Sequence, residues 1–336
     1  MNEVRAVVGI DVSKAKLDIA LLRKGKVKSK VIDNTPAGHA GLITWLLNEE
    51  VALSETDACM EATGVYFEPV ALALHGAGMK VSVVNPSCIK GFGKSENIRN
   101  KNDAIDAKLI ARFCLKQEPS AWTPPPLEQR QLKGWTQRLQ ALKDMLQQEE
   151  NRLEAQSFSG LEEHAAHIME HITWLKSEIA KLVKEIDDHI DRNPALKHDA
   201  ELILSITGIG RTTVARLLGH LGDIRRFTSA KALAAFLGVT PQQRTSGSSV
   251  RGQTMISRTG DTALRAALFM PSMAARKHNP IIKVFAERRL ATGMAKRAVI
   301  SAVTHKLVHL IYGVITNNQK FDPNYLSKGL AIQHGI

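Results

Sequence analysis

Residues 4–33 read VRAVVGIDVSKAKLDIALLRKGKVKSKVID, and this stretch decides the fold. VRAVVGID (4–11) is an apolar, β-branched run that ends on an acid. LDIALL (17–22) and KVKSKVID (26–33) follow, divided by RKGK, a short glycine-containing hairpin connection. TPAGHAGLITWLLNEE then predicts a helix with Thr35 as its cap and Pro36 at the first helical position. DACME (57–61) predicts a short buried strand, FEPVALALHGAG a helix closed by glycine, and KVSVVNP a strand stopped by proline. The order β-β-β-α-β-α-β begins as an antiparallel meander and finishes as βαβ units, so the expected domain is α/β with a mixed sheet. A helix from about Asp103 to Lys116 closes it, giving a first domain over 1–117.

The proline-rich stretch EPSAWTPPPLEQ (118–129) marks a boundary. A helical hairpin or coiled coil is expected over 127–198, with its two helices joined near SFSGLEE. Ile168, Ile172, Leu175, Ile179, Leu182 and Ile186 alternate spacings of four and three, a heptad seam that packs either on its own hairpin or on a second protomer. His164, His167 and His171 share one helical face, and without a carboxylate pattern beside them they read as solvated rather than metal-binding. The remainder, 199–336, is basic and mostly helical, with helices starting near Thr262, Pro280 and Lys296. Within it, TGIGR (207–211) suits a helix-hairpin-helix element. There Gly208, Gly210 and Arg211 would present backbone N–H groups, a helix N-terminus and a cation to a phosphate.

Charge is distributed unevenly. Residues 201–336 hold 19 Lys and Arg against 5 Asp and Glu, whereas the first 200 hold 26 against 28. The whole excess of +12 therefore lies in the last two-fifths of the chain, which favours a polyanionic partner, most often nucleic acid. Aromatics are only 5%, which favours backbone contacts to structured nucleic acid over a stacking platform. The 336 residues, 44% hydrophobic and 23% charged, exclude a disordered or collagen-like chain. Three cysteines without CxxC spacing argue against a disulfide scaffold or a cysteine zinc site. No apolar run is read as approaching the ~18 residues of a membrane span, and the polar start is no signal peptide, so a cytoplasmic protein without a membrane partner is expected.

Four acids stand where chemistry is possible. Asp11 ends the first strand and Glu61 a later one, and in this strand order the two strands can lie side by side. Asp103 and Asp106, three apart at a helix start, project from one face. Four converging carboxylates repel unless cations neutralise them, and hard oxygen ligands suit Mg²⁺ (or Mn²⁺), the arrangement used for in-line chemistry at phosphorus. Two other patterns fail. The sugar-kinase and actin-like ATPase loop needs a second Asp-Gly loop, which TGIG lacks. DEDD exonucleases need a second acid two residues after Asp11, where Ser13 stands.

Taken together, GIDVSKAKLDIA, CMEATGVYFEPVA, VVNPSCIKGFGKSENIRNKNDAIDAKLIARF, ITGIGRTTVARLL and GVTPQQRTSGSSVRG closely resemble the DEDD transposases of the insertion-sequence 110 type, in the same order over nearly the whole chain. The resemblance implies an RNase H-like, Holliday-junction-resolvase-like N-terminal domain, a coiled-coil insertion and a C-terminal transposase domain. It places the family's acidic tetrad on Asp11, Glu61, Asp103 and Asp106, and its serine nucleophile on Ser246; local chemistry alone would not separate Ser246 from Ser248 or Ser249. It implies strand exchange on donor and target DNA through a covalent phosphoserine, Mg²⁺ on the tetrad, guidance by a structured bridge RNA, and a homo-oligomer, dimer or tetramer, of a bacterium or archaeon. Arg244, Arg251 and Arg258 are candidate phosphate clamps. A hydrolytic junction nuclease and a non-catalytic nucleic-acid-binding protein are the competing readings.

Overall fold

The structure is a computed structural model that describes residues 6–62, 64–96, 103–159, 162–242, 245–246, 250–251, 255–257 and 259–324. Two compact units meet in sequence at Pro124–Pro125.

In the first unit β1 (Val7–Val12), β2 (Lys16–Arg23) and β3 (Lys26–Asp33) lead to α1 (Pro36–Asn48), β4 (Asp57–Glu61), α2 (Glu68–Gly76), β5 (Lys80–Val84), α3 (Pro86–Ser95) and α4 (Asp103–Gln117). The sheet order is β3-β2-β1-β4-β5: β1 to β3 form the antiparallel meander, while β4 runs parallel to β1 and β5 parallel to β4. This is the mixed sheet expected from the order of the strands, and it agrees with the RNase H-like domain that the resemblance implies. Local chemistry sets the boundaries. Thr35 accepts from the Gly38 N–H at 3.1 Å and Pro36 opens α1. Asn85 caps α3 by accepting from the Ser87 N–H at 2.9 Å, with Pro86 at its start. Both sheet faces are covered. Val8, Ile10, Leu17 and Met60 pack with Leu42 and Leu74 of α1 and α2, and Val7, Ala20 and Cys59 pack with Ile89 of α3 and Ala107 and Ile110 of α4.

The second unit holds α5 (Leu127–Ser159), α6 (Glu162–Arg192), α7 (Pro194–Leu204), α8 (Arg211–Leu221) and α9 (Ala230–Phe236). Two-residue strands β6 (Pro241–Gln242), β7 (Thr245–Ser246), β8 (Val250–Arg251) and β9 (Met255–Ile256) follow, then α10 (Thr262–Ala267), α11 (Phe269–His278), α12 (Pro280–Ala291) and α13 (Lys296–Thr316). The α5–α6 hairpin shares one core with the helices after it: Leu132, Leu139 and Leu175 belong with Ile203, Leu217, Leu233, Val303 and Ile311. At Gly219 of α8 a Cβ would sit 2.8 Å from the Lys133 backbone nitrogen of α5, so glycine permits that close approach.

Here one alternative left open by the sequence is decided and one expectation changes. The seam residues Ile172, Leu175, Leu182 and Ile186 are buried within the chain, against α5, which leaves that stretch unavailable to a second protomer. The reason is that α5 offers its own apolar stripe, including Leu139 and Leu142, at matching register. The second concerns α13, which is long and apolar enough, by length and composition, to cross a membrane. Val299, Val303, Leu307, Val308 and Ile311 are nevertheless buried in the helical core, where such a helix is equally at home.

Candidate active site

The register of β1 and β4 brings the first two acids together. Ile10 lies opposite Met60 in the parallel pair, so Asp11 and Glu61 follow as the next positions of adjacent strands. Both are half-buried. Side chains alternate along a strand, so Asp11 shares a sheet face with Val7 and Gly9, and Glu61 shares one with Cys59. That is the face covered by α4.

Gly9 explains how closely the helix approaches. A Cβ there would lie 2.2 Å from the Ala107 carbonyl oxygen and 2.3 Å from the Ala111 nitrogen. The first turns of α4, which start at Asp103 and include Asp106, are thus held against the strand that carries Asp11. A second tie joins α4 to β4: the Cys114 and Cys59 thiols are hydrogen-bonded, and this contact, with burial and the nearby Asp57 and Glu61 carboxylates, pushes the Cys59 thiol far up. The far end of α4 is clamped to the end of α3, where Glu96 accepts from Lys116 Nζ at 2.8 Å and also pairs with Arg112. The Lys116 hydrogen bond is the main reason the Glu96 carboxyl is held below its ordinary range.

The loops next to the acids are tied together as well. The Asn34 side-chain amide donates to the Ser13 carbonyl (2.9 Å), two residues after Asp11, and to the Tyr66 carbonyl (3.1 Å), five residues after Glu61. His39 Nε2 lies 2.8 Å from Asn34 Oδ1, which can only accept, so His39 is the donor. Burial lowers the His39 pKa and keeps the ring neutral, consistent with that single tautomer.

Asp106 is half-buried in the first turns of α4. Asp103 begins the helix, and its side chain lies outside the described residues. Among the described residues no three of His, Cys, Asp and Glu sit close enough to hold an ion together. The donor set is all carboxylate, however, and its chemistry fits a hard divalent cation.

One acid escaped the sequence reading. Asp18 of β2 stands directly across from Asp11 in the antiparallel pair, is only 7% exposed, and is paired with Lys16 Nζ at 3.2 Å. The signal was present in LDIALL, where an acid occupies the same inward-facing alternation as Ala20 and Leu22.

In the second unit Ser246 and Arg251 lie on the small β7–β8 ladder, where Ser246 pairs with Val250 and Thr245 with Arg251. Their side chains, and all of Arg244, Arg258, Ser248 and Ser249, lie outside the described residues. In TGIGR, Gly208 has φ +108°, and a Cβ there would meet the Ala275 backbone nitrogen of α11 at 2.6 Å. Packing alone therefore requires this glycine. Gly210 caps α8 with φ −102°, and the Arg211 guanidinium is 3.8 Å from Asp187. His171 is exposed and lies 3.4 Å from Glu149, and His167 is exposed.

The topology and the acid-bearing strand ends define an RNase H-like domain of the nuclease and transposase class. The matching family models and relatives agree with that class. Residues 8–156 match the family model for the DEDD transposases of IS110, and residues 200–287 match that of the IS116/IS110/IS902 family transposases. The chain is 33% identical over 322 residues to the pilin gene-inverting protein of Moraxella bovis, covering 95% of this chain and 98% of that one. It is 23% identical over 357 residues to the transposase for insertion sequence element IS1111A of Coxiella burnetii, covering 96% and 92%. Among solved structures, RuvC of T. thermophilus in complex with a Holliday junction substrate overlaps 34% of this chain and 98% of its own, at 15% identity and a TM-score of 0.26. The chain belongs to the IS110 family of DEDD transposases.

Proposed function

We propose that this protein cuts and rejoins DNA strands as the recombinase of a mobile element, with Asp11, Glu61, Asp103 and Asp106 as the acidic set and Ser246 as nucleophile. The observation that carries the reading is the placement of Asp11 and Glu61 at neighbouring ends of parallel strands, on the face that α4 covers. Carboxylates so close repel, and a divalent cation shared with the α4 acids removes that cost. When bound, Mg²⁺ or Mn²⁺ would polarise the scissile phosphate and stabilise charge on the leaving oxygen. In the cutting step the Ser246 Oγ–phosphorus bond forms and the bond to the leaving deoxyribose oxygen breaks. The serine proton passes to water or a carboxylate, and the leaving oxygen takes up a proton in turn. Attack by a deoxyribose hydroxyl of another strand reverses these bonds and releases the serine, so the phosphodiester energy is conserved. Arg244, Arg251 and Arg258, with the Gly208–Arg211 turn, would hold phosphates by backbone and guanidinium contacts.

The +14 balance of residues 201–336 supports DNA and a structured bridge RNA as partners. The Moraxella bovis relative is named for inverting a pilin gene, which fits strand exchange better than simple degradation. Cutting and rejoining several strands calls for a dimer or tetramer in the cytoplasm of a bacterium or archaeon. With the Ile172–Ile186 seam occupied inside the chain, exposed apolar residues elsewhere on the hairpin, among them Met145, Phe158, Met169 and Trp174, are candidates to join copies. The test is to incubate the protein with Mg²⁺, flank-derived RNA and labelled DNA, then look for a denaturation-resistant protein–DNA adduct. Ser246→Ala should lose the adduct, Ser248→Ala and Ser249→Ala should keep it, and Asp11→Ala should lose cleavage while retaining binding. Efficient cleavage without an adduct, undiminished in Ser246→Ala, would make water the nucleophile and the protein a hydrolytic junction nuclease.

A further inference from the structure

The second unit contains a cleft that none of the residues above explains. It lies between α11 and α13 and has a volume of about 510 Å³, within the range of pockets that enclose a small organic group. Its α11 side is a single helical stripe: Phe269 and Met273, one turn apart, with Arg276 a turn further on. Ile300 and Thr304 of α13 contribute on the opposite side, with Lys296 and Arg297 at the α13 N-terminus, and Ile256 of β9 adds to the apolar lining. The Thr304 hydroxyl is already engaged, 2.8 Å from Ser272 Oγ, which fixes α11 against α13.

Two properties of the cleft point the same way. Large apolar side chains here are turned to solvent: Phe269 is 55% and Met273 40% exposed, and Met270 and Met255 beside them are also exposed. A surface of this kind marks a binding site. The cations around it are in excess, since residues 255–306 hold 10 Lys and Arg but only Asp261 and Glu287 as acids. Among the described residues no carboxylate is ion-paired with Arg276, Lys296 or Arg297. An apolar, aromatic slot rimmed by unneutralised guanidinium and ammonium groups is complementary to a flat base joined to phosphates.

The cleft is also close to Ser246. Its wall residue Ile256 pairs with Pro241, and Gln242 pairs with Met255 in the same ladder. Ser246 is four residues beyond Gln242, a reach of at most about 14 Å. That corresponds to roughly four base steps along a duplex strand.

We infer that this cleft receives one unpaired nucleotide of the DNA, its base against Phe269 and Met273 and its flanking phosphates on Arg276, Lys296 and Arg297. The inference rests on the reading of Ser246 as the residue that acts on DNA. A base drawn out of the stack a few steps from the cut would hold the strand in place and loosen the duplex where strands must part.

The test compares two DNA duplexes of the same sequence, one perfect and one with a single central unpaired nucleotide, by fluorescence anisotropy with the full-length chain. The bulged duplex should bind about ten-fold more tightly. Phe269→Ala should abolish that preference while leaving affinity for the perfect duplex and the melting temperature unchanged, and Phe269→Trp should restore it. Arg276→Gln should weaken both duplexes and flatten the salt dependence by about one phosphate contact. Ser246→Ala should retain the full preference. If the preference is present but the wild type forms no adduct with DNA, the cleft stands and the phosphoserine reading falls. The inference is overturned if wild type shows no preference, or if Phe269→Ala keeps it. A Phe269-dependent preference confined to bulged RNA would overturn it too, as would a wild-type dimer that Phe269→Ala splits into single chains by light scattering.

Discussion

Gly9→Ala is a one-carbon change with a large expected effect. The added Cβ would lie 2.2 Å from the Ala107 carbonyl oxygen, 2.3 Å from the Ala111 nitrogen and 2.9 Å from its Cα, all backbone atoms that cannot rotate away. Relief to an ordinary contact requires α4 to withdraw from β1 by about 1 Å. Overpacking of this kind costs about 1–3 kcal/mol, and the upper end applies because a whole helix must move. For a unit of this size about 3 kcal/mol lowers the melting temperature by roughly 10 °C. The effect on cleavage should exceed the effect on stability. The same retreat carries Asp103 and Asp106 away from Asp11, and a 1 Å misplacement of reacting groups can cost about 100-fold. The measurements are thermal denaturation followed by circular dichroism, and Mg²⁺-dependent DNA cleavage below the melting transition. Nucleic-acid binding, which is proposed for the basic second unit, should stay within about two-fold of wild type. A Gly9→Ala protein with wild-type melting and wild-type cleavage would show that the α4–β1 approach neither limits stability nor sets the acids.

Further outcomes follow from the buried groups. Gly208→Ala forces a side chain into a left-handed conformation and against the Ala275 backbone, and should cost about 2–4 kcal/mol, whereas Gly210→Ala, with nothing within 4 Å, should be tolerated. Equal loss of nucleic-acid affinity in both variants with stability intact would show that these glycines serve phosphate contact rather than packing. His39, His220, His305 and His309 are each held below the ordinary value of 6.5, in every case chiefly by burial. The unfolded chain takes up protons near that value before the folded one does, so stability is complete above it and declines as pH falls toward the lowered folded-state values. The melting temperature should therefore drop between about pH 7 and about pH 5, less so in His305→Gln, and a flat profile would contradict the burial of these rings.

The sheet was legible because three short runs with turn signals between them leave little choice of topology. Asp11 and Glu61 were legible because an acid closing an apolar run has few structural reasons to be there. What sequence could not supply was register. That Ile10 sits opposite Met60, so that Asp11 and Glu61 are neighbours, and that Asp18 faces Asp11, depends on pairings made across many residues. α3 was missed because Gly91 and Gly93 lower helix propensity in PSCIKGFGKS, whereas the Asn85 cap and Pro86 overcome it. The heptad seam was read correctly as apolar, but periodicity is blind to which helix covers it. The cleft was invisible for a related reason. Phe269, Met273 and Arg276 look like an ordinary amphipathic helix until α13 is seen to leave that stripe partly uncovered.

The place of α13 in the chain has a consequence for synthesis. The acid-bearing unit is complete once residue 124 is available, but Val303, Leu307 and Ile311, at the centre of the serine-bearing unit, arrive only with α13, the last helix among the described residues, which ends at Thr316. At roughly 5–20 residues per second, that interval lasts on the order of 10–40 s. A nascent chain thus carries folded acids well before it can present an ordered serine. A messenger cut short ahead of Lys296 yields a product whose helical core stays open and exposed to proteolysis.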